Sequence, residues 1–306
     1  MRSLLLVSYG APEKQEDVVP FLNNFFAGKN VPAARIEAAT HKYEKYAITT
    51  GHYSPLNAEC RKMIAKIQRI DPNLHIYWGN LFWHPLLTAA VAEMTRNGVQ
   101  DALCFATSAF DSPSGNQQYA DALEAARATV GMDAPILRKL PLPFEHPLFI
   151  EAQVDQLSKT AADNQLPATV IMFSAHSILC VDAARCHYVE QLLSTCRAVI
   201  EKSGITIPWE LVYQSRSGAS EHWLGPDIKE RIRELFAAGR VESVIVSPIG
   251  FFCENMETEY DLDVEVGACC AELGLSFSRV KTVGTTAKIC QMITDMIETG
   301  QEAPEH

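Results

Sequence analysis

Hydrophobic and polar positions along the chain follow two alternating patterns. Short, continuous apolar runs occur at 3–7, 75–78, 102–105, 169–173, 210–213 and 243–247, as expected of strands buried on both faces. Between them, apolar residues recur at helical spacing over 58–70, 86–96, 117–130, 188–202 and 227–238, which predicts helices with one face turned to a core. Strand, helix, strand in repeated order predicts an α/β fold with mainly parallel sheets. Three of the runs precede residue 110 and three follow residue 168, with the proline-bracketed segment Leu142-Pro143-Phe144-Glu145-His146-Pro147 between them. The expected division is therefore an N-terminal half over 1–147 and a C-terminal half over 148–306. No residue-level repeat links the two.

Composition narrows the class. With 306 residues, 47% of them hydrophobic and 21% charged, the chain can fill two cores. A formal charge of −11 argues against a nucleic-acid backbone or an anionic lipid surface as the main partner. The apolar stretch at 4–7 is too short for a signal-peptide core, and no run reaches bilayer-spanning length. A cytoplasmic protein without stable membrane insertion is expected. The nine cysteines include no C-x-x-C pair, so they are expected to be reduced thiols, mostly in the core. Cys180, Cys186 and Cys196 match no familiar zinc or iron–sulfur spacing. The tail at 300–306 is expected to be disordered. No G-x-G-x-x-G, G-x-x-x-x-G-K-S/T or G-x-S-x-G string occurs, which removes the main support for dinucleotide, nucleoside triphosphate and hydrolase chemistry.

In open parallel sheets ligands bind beyond the carboxyl ends of the strands. The residues expected there include Tyr9-Gly10, Gly79-Asn80, Ser174-Ala175-His176-Ser177, Gln214-Ser215 and Pro248-Ile249-Gly250-Phe251. An imidazole at His176 can take a proton or bind a metal; on position alone, a histidine bonded within a strand-to-helix turn is an equal reading. Glu257, Asp261 and Glu265 stand four residues apart, which on a helix puts the carboxylates on one face. Like charges at that spacing repel, so partners should offset the cost. The stripe is either a solvated acidic face or a path for a hard divalent cation, with protons leaving in the opposite direction.

Together these strings resemble the ferrochelatases. Phe173-Ser174-Ala175-His176-Ser177 is similar to the family's strand-tip histidine motif, and Tyr213-Gln214-Ser215 with Trp223-Leu224-Gly225-Pro226-Asp227 to its Q-S…W-L-G-P block. Pro248-Ile249-Gly250-Phe251 with Glu257-Thr258 and Tyr260-Asp261-Leu262-Asp263 is similar to its P-I-G-F…E-T-L-Y-D-L-D block, and Ser54-Pro55-Leu56 adds a weaker match. The resemblance implies two Rossmann-like halves, each a parallel sheet flanked by helices, with a porphyrin cleft between them. It implies ferrous iron as a substrate and His176 and Glu257 as the catalytic residues. His176 is left as either base or metal ligand. Tyr9, Asp261 and Glu265 join His176 and Glu257 as expected metal contacts, and Tyr9, Lys29, Lys42, Tyr43, Ser54 and Trp223 are the expected porphyrin contacts.

The first strand tip refines the expectation. Ser8-Tyr9-Gly10-Ala11-Pro12 resembles the A-Y-G-T-P of the soluble coproporphyrin ferrochelatases, and the charged stretch at 25–43 has no long apolar lip. Coproporphyrin III, giving coprohaem, is therefore expected over protoporphyrin IX, giving protohaem. A chelatase for a more carboxylated ring and a non-catalytic tetrapyrrole-binding protein of the same fold are the alternatives. The chain departs from the family pattern at Glu254-Asn255, where the family has D-H, and at Ser177-Ile178-Leu179, where it has S-L-P. Phe26 stands where the soluble enzymes place a propionate-binding arginine, leaving Lys29, Lys42 and Arg61 as candidate replacements. The cysteine-rich C-terminal extension of the animal-type enzymes has no counterpart, so no iron–sulfur cluster is expected, and a monomer is expected over a dimer.

Overall fold

A computed structural model describes residues 2–29, 31–164, 166–216 and 222–300. The expected disordered tail beyond residue 300 and the Ser217-Gly218 end of the Gln214-Ser215 string lie outside the described residues.

The chain forms two compact units, one of Met1–Thr107, Gln118–Pro141 and Ile293–His306, the other of Ser108–Gln117 and Leu142–Met292. The expected boundary at residue 147 thus falls after Pro141, and two segments are assigned out of chain order. Periodicity shows that a segment has an apolar face but not which sheet that face meets, so the segment at 108–117 and the chain's end could not be allotted from sequence.

In the first unit the order is β1 (Ser3–Ser8), α1 (Gln15–Phe26), α2 (Ala33–Thr50), α3 (Leu56–Ile70), β2 (His75–Asn80), α4 (Leu87–Arg96), β3 (Asp101–Ala106), α5 (Gln118–Val130) and β4 (Ile136–Lys139). Its sheet runs β2-β1-β3-β4 with every neighbour parallel. Leu4, Leu5, Leu6 and Val7 are fully buried, because a central parallel strand sends alternate side chains to both faces of its sheet. Leu5 and Val7 share one core with Val91 and Met94 of α4 and Leu123 of α5.

The second unit holds α6 (Pro147–Ala162), β5 (Thr169–His176), α7 (Cys180–Ala183), α8 (Tyr188–Ser203), β6 (Trp209–Gln214), α9 (Ile228–Ala237), β7 (Ser243–Ser247), a π-helix (Glu257–Val266), α10 (Gly267–Glu272), β8 (Ser276–Arg279) and the start of α11 (Ala287–Thr299). Its sheet, β6-β5-β7-β8, repeats the first unit's parallel order. Val170, Met172, Val212, Val244 and Val246 pack with Ile228, Ile232 and Leu235 of α9 and with Leu262 and Val266 of the π-helix.

The strands β4 and β8 were not foreseen. Each has four residues, and Ile136–Lys139 and Ser276–Arg279 carry Arg138, Lys139 and Arg279, so neither gives an apolar run; short, charged strands are typical of sheet edges. None of the nine cysteines is in a disulfide; seven are buried, with Cys180 exposed and Cys186 half-buried. Among the described residues no helix is long and apolar enough to cross a membrane.

Candidate active site

The strand order of the second unit reverses direction at β5, which has β6 on one side and β7 then β8 on the other. Ligands collect at such a switch point, beyond the carboxyl ends of the strands. His176 is the last residue of β5, paired in register with Gln214 at the end of β6. Ser174, Ala175 and Ser177 around it are fully buried, whereas the His176 side chain keeps 37% of its surface exposed. His176 Nδ1 lies 2.6 Å from the Ser177 carbonyl oxygen. That oxygen can only accept, so Nδ1 carries the proton and donates it, which leaves the Nε2 position for chemistry. The Tyr188 hydroxyl donates to the His176 carbonyl at 3.1 Å and fixes the backbone from the other side.

Glu257 reaches the same place from the segment after β7. Ile249 and Gly250 fold tightly over β5, with the Gly250 N–H donating to the Ser174 carbonyl at 3.1 Å. A side chain at Gly250 would put a Cβ 2.6 Å from that of Ala175, so only glycine permits this approach. Three residues before Thr258, Asn255 opens the helix reciprocally: its Oδ1 accepts the Thr258 N–H and its own N–H donates to Thr258 Oγ1, each at 3.0 Å. Glu257 Oε1 then stands 3.5 Å from His176 Nε2. A lone pair on Nε2 facing a carboxylate is an arrangement that attracts positive charge, either a proton held between them or a metal ion. Gln214 joins both elements, accepting from Ser174 Oγ at 2.8 Å and donating from Nε2 to the Glu257 carbonyl at 3.2 Å.

The stretch 257–266 is helical, but of the wide π type, with hydrogen bonds from i to i+5 and a known association with functional sites. Residues four apart still fall along one side, since a turn takes about four to five residues. Two of the carboxylates have partners that offset their repulsion: Asp261 accepts from Ser215 Oγ at 2.5 Å, and Glu265 pairs with Lys229 at 2.6 Å. Ser215 holds a left-handed backbone, φ 63°, beside that bond. Such a conformation costs a non-glycine residue of order 1–3 kcal/mol and recurs at functional sites. Among the described residues no three His, Cys, Asp or Glu side chains converge to hold an ion. The same holds for Cys180, Cys186 and Cys196, the last of which is buried.

Below the helix, Glu254 is 8% exposed and paired with Arg279 at 3.0 Å. Burial alone would raise its carboxyl, but the Arg279 charge and bond and the Thr282 N–H outweigh that and hold it below the usual carboxylate range. Glu254 is thus a structural anion in the place of the family's first motif residue, and Asn255 a helix cap in the place of the second.

In the first unit, Tyr9 follows β1 and its hydroxyl donates to Gln118 Oε1 at 3.0 Å. Its ring lies 5.3 Å from that of Tyr119 and 5.4 Å from Phe82, which in turn meets Phe25 edge-on at 5.0 Å. Phe82 and Phe25 were missed as site neighbours; Phe82 stands two residues beyond the β2 tip, where its N–H donates to the Tyr9 carbonyl. The other expected porphyrin contacts are less uniform. Lys29 is exposed over the Phe25 ring at 4.6 Å, where partial desolvation lowers its ammonium. Lys42 is half-buried on α2, and Tyr43 is buried there, edge-on to Phe21 at 6.0 Å. Ser54 Oγ accepts the Leu56 N–H at the start of α3. Arg61 makes a bidentate pair with Glu13 at 2.6 and 2.7 Å. In the second unit, Trp223 is half-buried and bridged by its backbone to Leu179.

Twin four-stranded parallel sheets in the order 2-1-3-4, with chemistry at the carboxyl ends, define the chelatase class of fold. Solved structures bear this out: the chain is similar to the sirohydrochlorin chelatase SirB from Bacillus subtilis subspecies spizizenii in complex with cobalt, with a TM-score of 0.53, 13% identity, and 97% of this chain and 94% of that one covered. It is also similar to CbiX, described as the terminal enzyme for siroheme biosynthesis in denitrifying bacteria, with a TM-score of 0.54, 15% identity, and 98% and 100% covered. Sequence goes further. The ferrochelatase family model matches residues 1–301. A ferrochelatase of Rhodopirellula baltica is 41% identical over 97% of this chain and 85% of its own, and a coproporphyrin III ferrochelatase of Frankia alni is 40% identical over 97% and 79%. The chain belongs to the ferrochelatase family, enzymes that insert a metal ion into a porphyrin ring.

Proposed function

We propose that this enzyme inserts ferrous iron into coproporphyrin III, with His176 and Glu257 at the centre of the reaction. The observation that carries the site assignment is the 3.5 Å approach of His176 Nε2 to Glu257 Oε1 at the switch point of the sheet. The Tyr9 motif supports the choice of porphyrin, as do the coproporphyrin III ferrochelatases of Frankia alni and Nocardia farcinica, at 40% and 39% identity.

As the metal enters, two pyrrole N–H protons must leave. A porphyrin bent out of plane exposes its nitrogen lone pairs, and contacts to its peripheral carboxylates supply the binding energy for that strain. His176, with Nδ1–H tied to Ser177, presents Nε2 to accept a pyrrole proton, and Glu257 stabilises the imidazolium that results. Asp261 and Glu265 extend the path along which protons leave or iron arrives. We assign Tyr9 as a further metal and porphyrin contact on the strength of its motif, with Lys29, Lys42, Tyr43, Ser54 and Trp223 as porphyrin contacts. We place the enzyme in the cytoplasm as a monomer without an iron–sulfur cluster.

The test is an anaerobic spectroscopic assay of ferrous insertion into coproporphyrin III and protoporphyrin IX side by side. Preferential formation of coprohaem is expected. Preference for protoporphyrin IX overturns the substrate assignment, and tight porphyrin binding without turnover overturns the activity.

A further inference from the structure

Arg279 ends an edge strand, yet its side chain is only 2% exposed. Its guanidinium reaches two carboxylates that bracket Glu257 in sequence. On one side Nη1 donates to Glu254 Oε1 at 3.1 Å, just before the π-helix; on the other Nε and Nη2 donate to the two oxygens of Asp263 at 2.6 and 2.7 Å, inside it. Glu254 is tied down further, accepting from the Thr282 N–H at 2.9 Å and from Thr258 Oγ1 at 3.0 Å. One planar fork therefore spans the segment that carries Glu257.

We propose that Arg279 is a positioning residue for Glu257, bracing the π-helix in the wide register that sets the carboxylate beside His176. The physical reason is that π-helices are rarely more than a single turn and are less favoured than α-helices, whereas this one runs over ten residues. Its apolar side gives no register by itself, since Leu262 and Val266 are four apart and suit an α-helix as well. A bidentate arginine fixes both distance and orientation, so the brace from Glu254 to Asp263 specifies how many residues lie between. Relaxation to i→i+4 bonding would turn Glu257 relative to Asp263 and widen the 3.5 Å gap to His176. The inference rests on the reading that Glu257 acts in metal insertion.

The experiment compares D263N, R279K, R279M and E257Q in the full chain, measuring turnover with ferrous iron and coproporphyrin III, porphyrin affinity by fluorescence quenching, and thermal unfolding. D263N leaves Arg279 paired with Glu254 and keeps the buried charge partnered, so it decides the matter if R279M does not fold. The expected result is a fall in kcat of about tenfold to a hundredfold for D263N, the size of an ångström-scale misplacement, with porphyrin affinity kept within about twofold. R279K should recover part of the activity lost in R279M. If folded D263N and R279K turn over like the wild type while E257Q is inactive, the positioning role is refuted and the Glu257 assignment stands. If E257Q itself is fully active, the Glu257 reading fails first. A loss in D263N that follows porphyrin affinity and melting temperature alone identifies a purely structural residue and also overturns the proposal.

Discussion

Gln214 is the buried joint between the two central residues, and replacing it tests how the site is held. The side chain sits in a residue that is 2% exposed and makes two bonds, from Ser174 Oγ at 2.8 Å and to the Glu257 carbonyl at 3.2 Å. Gln214→Met keeps the volume but can neither accept nor donate in the same way. Each polar group left without its partner in a buried setting costs about 1–3 kcal/mol, so the pair should cost roughly 2–6 kcal/mol. For a unit of this size, at about 2–4 °C per kcal/mol, that is a fall in melting temperature of roughly 4–24 °C. Ser174→Ala removes one of the two bonds and should cost about half as much. Because the two residues share a bond, the double variant should lose less than the sum, by about 1 kcal/mol. Urea unfolding measures the stability terms and anaerobic iron insertion the activity, which should fall with Gln214→Met because the Glu257 backbone is released. A loss below about 0.5 kcal/mol, or strictly additive effects, would refute the claim that Gln214 couples β5 to the π-helix.

Three further outcomes follow from the same geometry. Gly250→Ala forces a Cβ to within 2.6 Å of Ala175 Cβ and 2.8 Å of its Cα; overpacking of this kind costs about 1–3 kcal/mol, and turnover should drop because Ala175 precedes His176, whereas unchanged melting and activity would show that the loop yields freely. The Glu254 carboxyl is depressed in the folded state, so its contribution is present above the unfolded value and is lost as pH falls through the folded one. Glu254→Gln should therefore be less stable near pH 7 by about 3 kcal/mol and show a shallower decline below about pH 5; parallel pH–stability curves would contradict this. Asp261→Ala, which removes the acceptor of the Ser215 hydroxyl, should slow insertion chiefly at low iron concentration; a change confined to porphyrin affinity would exclude the carboxylate path.

Much of this architecture is legible in the residues. Four of the six apolar runs are the inner strands β1, β3, β5 and β7, where burial by both neighbours favours continuous apolar sequence, while the runs at 75–78 and 210–213 are the outer strands β2 and β6. Ser174-Ala175-His176-Ser177 reads as a strand tip because it ends one of the inner runs. The edge strands Ile136–Lys139 and Ser276–Arg279 escape that logic, since half-exposed positions accept Arg138, Lys139 and Arg279. The acidic stripe at Glu257, Asp261 and Glu265 is visible from spacing, but its partners His176, Ser215 and Lys229 are distant in sequence and only the fold unites them. That the helix is of the π type is not legible, because four-residue spacing suits both helices. Arg279 was hidden for a similar reason: an arginine on a short polar strand reads as solvent-facing, and its burial follows from two carboxylates supplied by another element. Phe82, beside Tyr9, carried the one signal that could have been used, its place just past a strand end.

We propose above that His176 and Glu257 work as a pair in metal insertion. The most direct test is anaerobic ferrous insertion into coproporphyrin III by the wild type, His176→Ala and Glu257→Gln, with porphyrin binding followed by fluorescence in the same samples. Turnover should fall by about a hundredfold or more in both variants while porphyrin still binds. Turnover near that of the wild type in either folded variant would contradict the pairing.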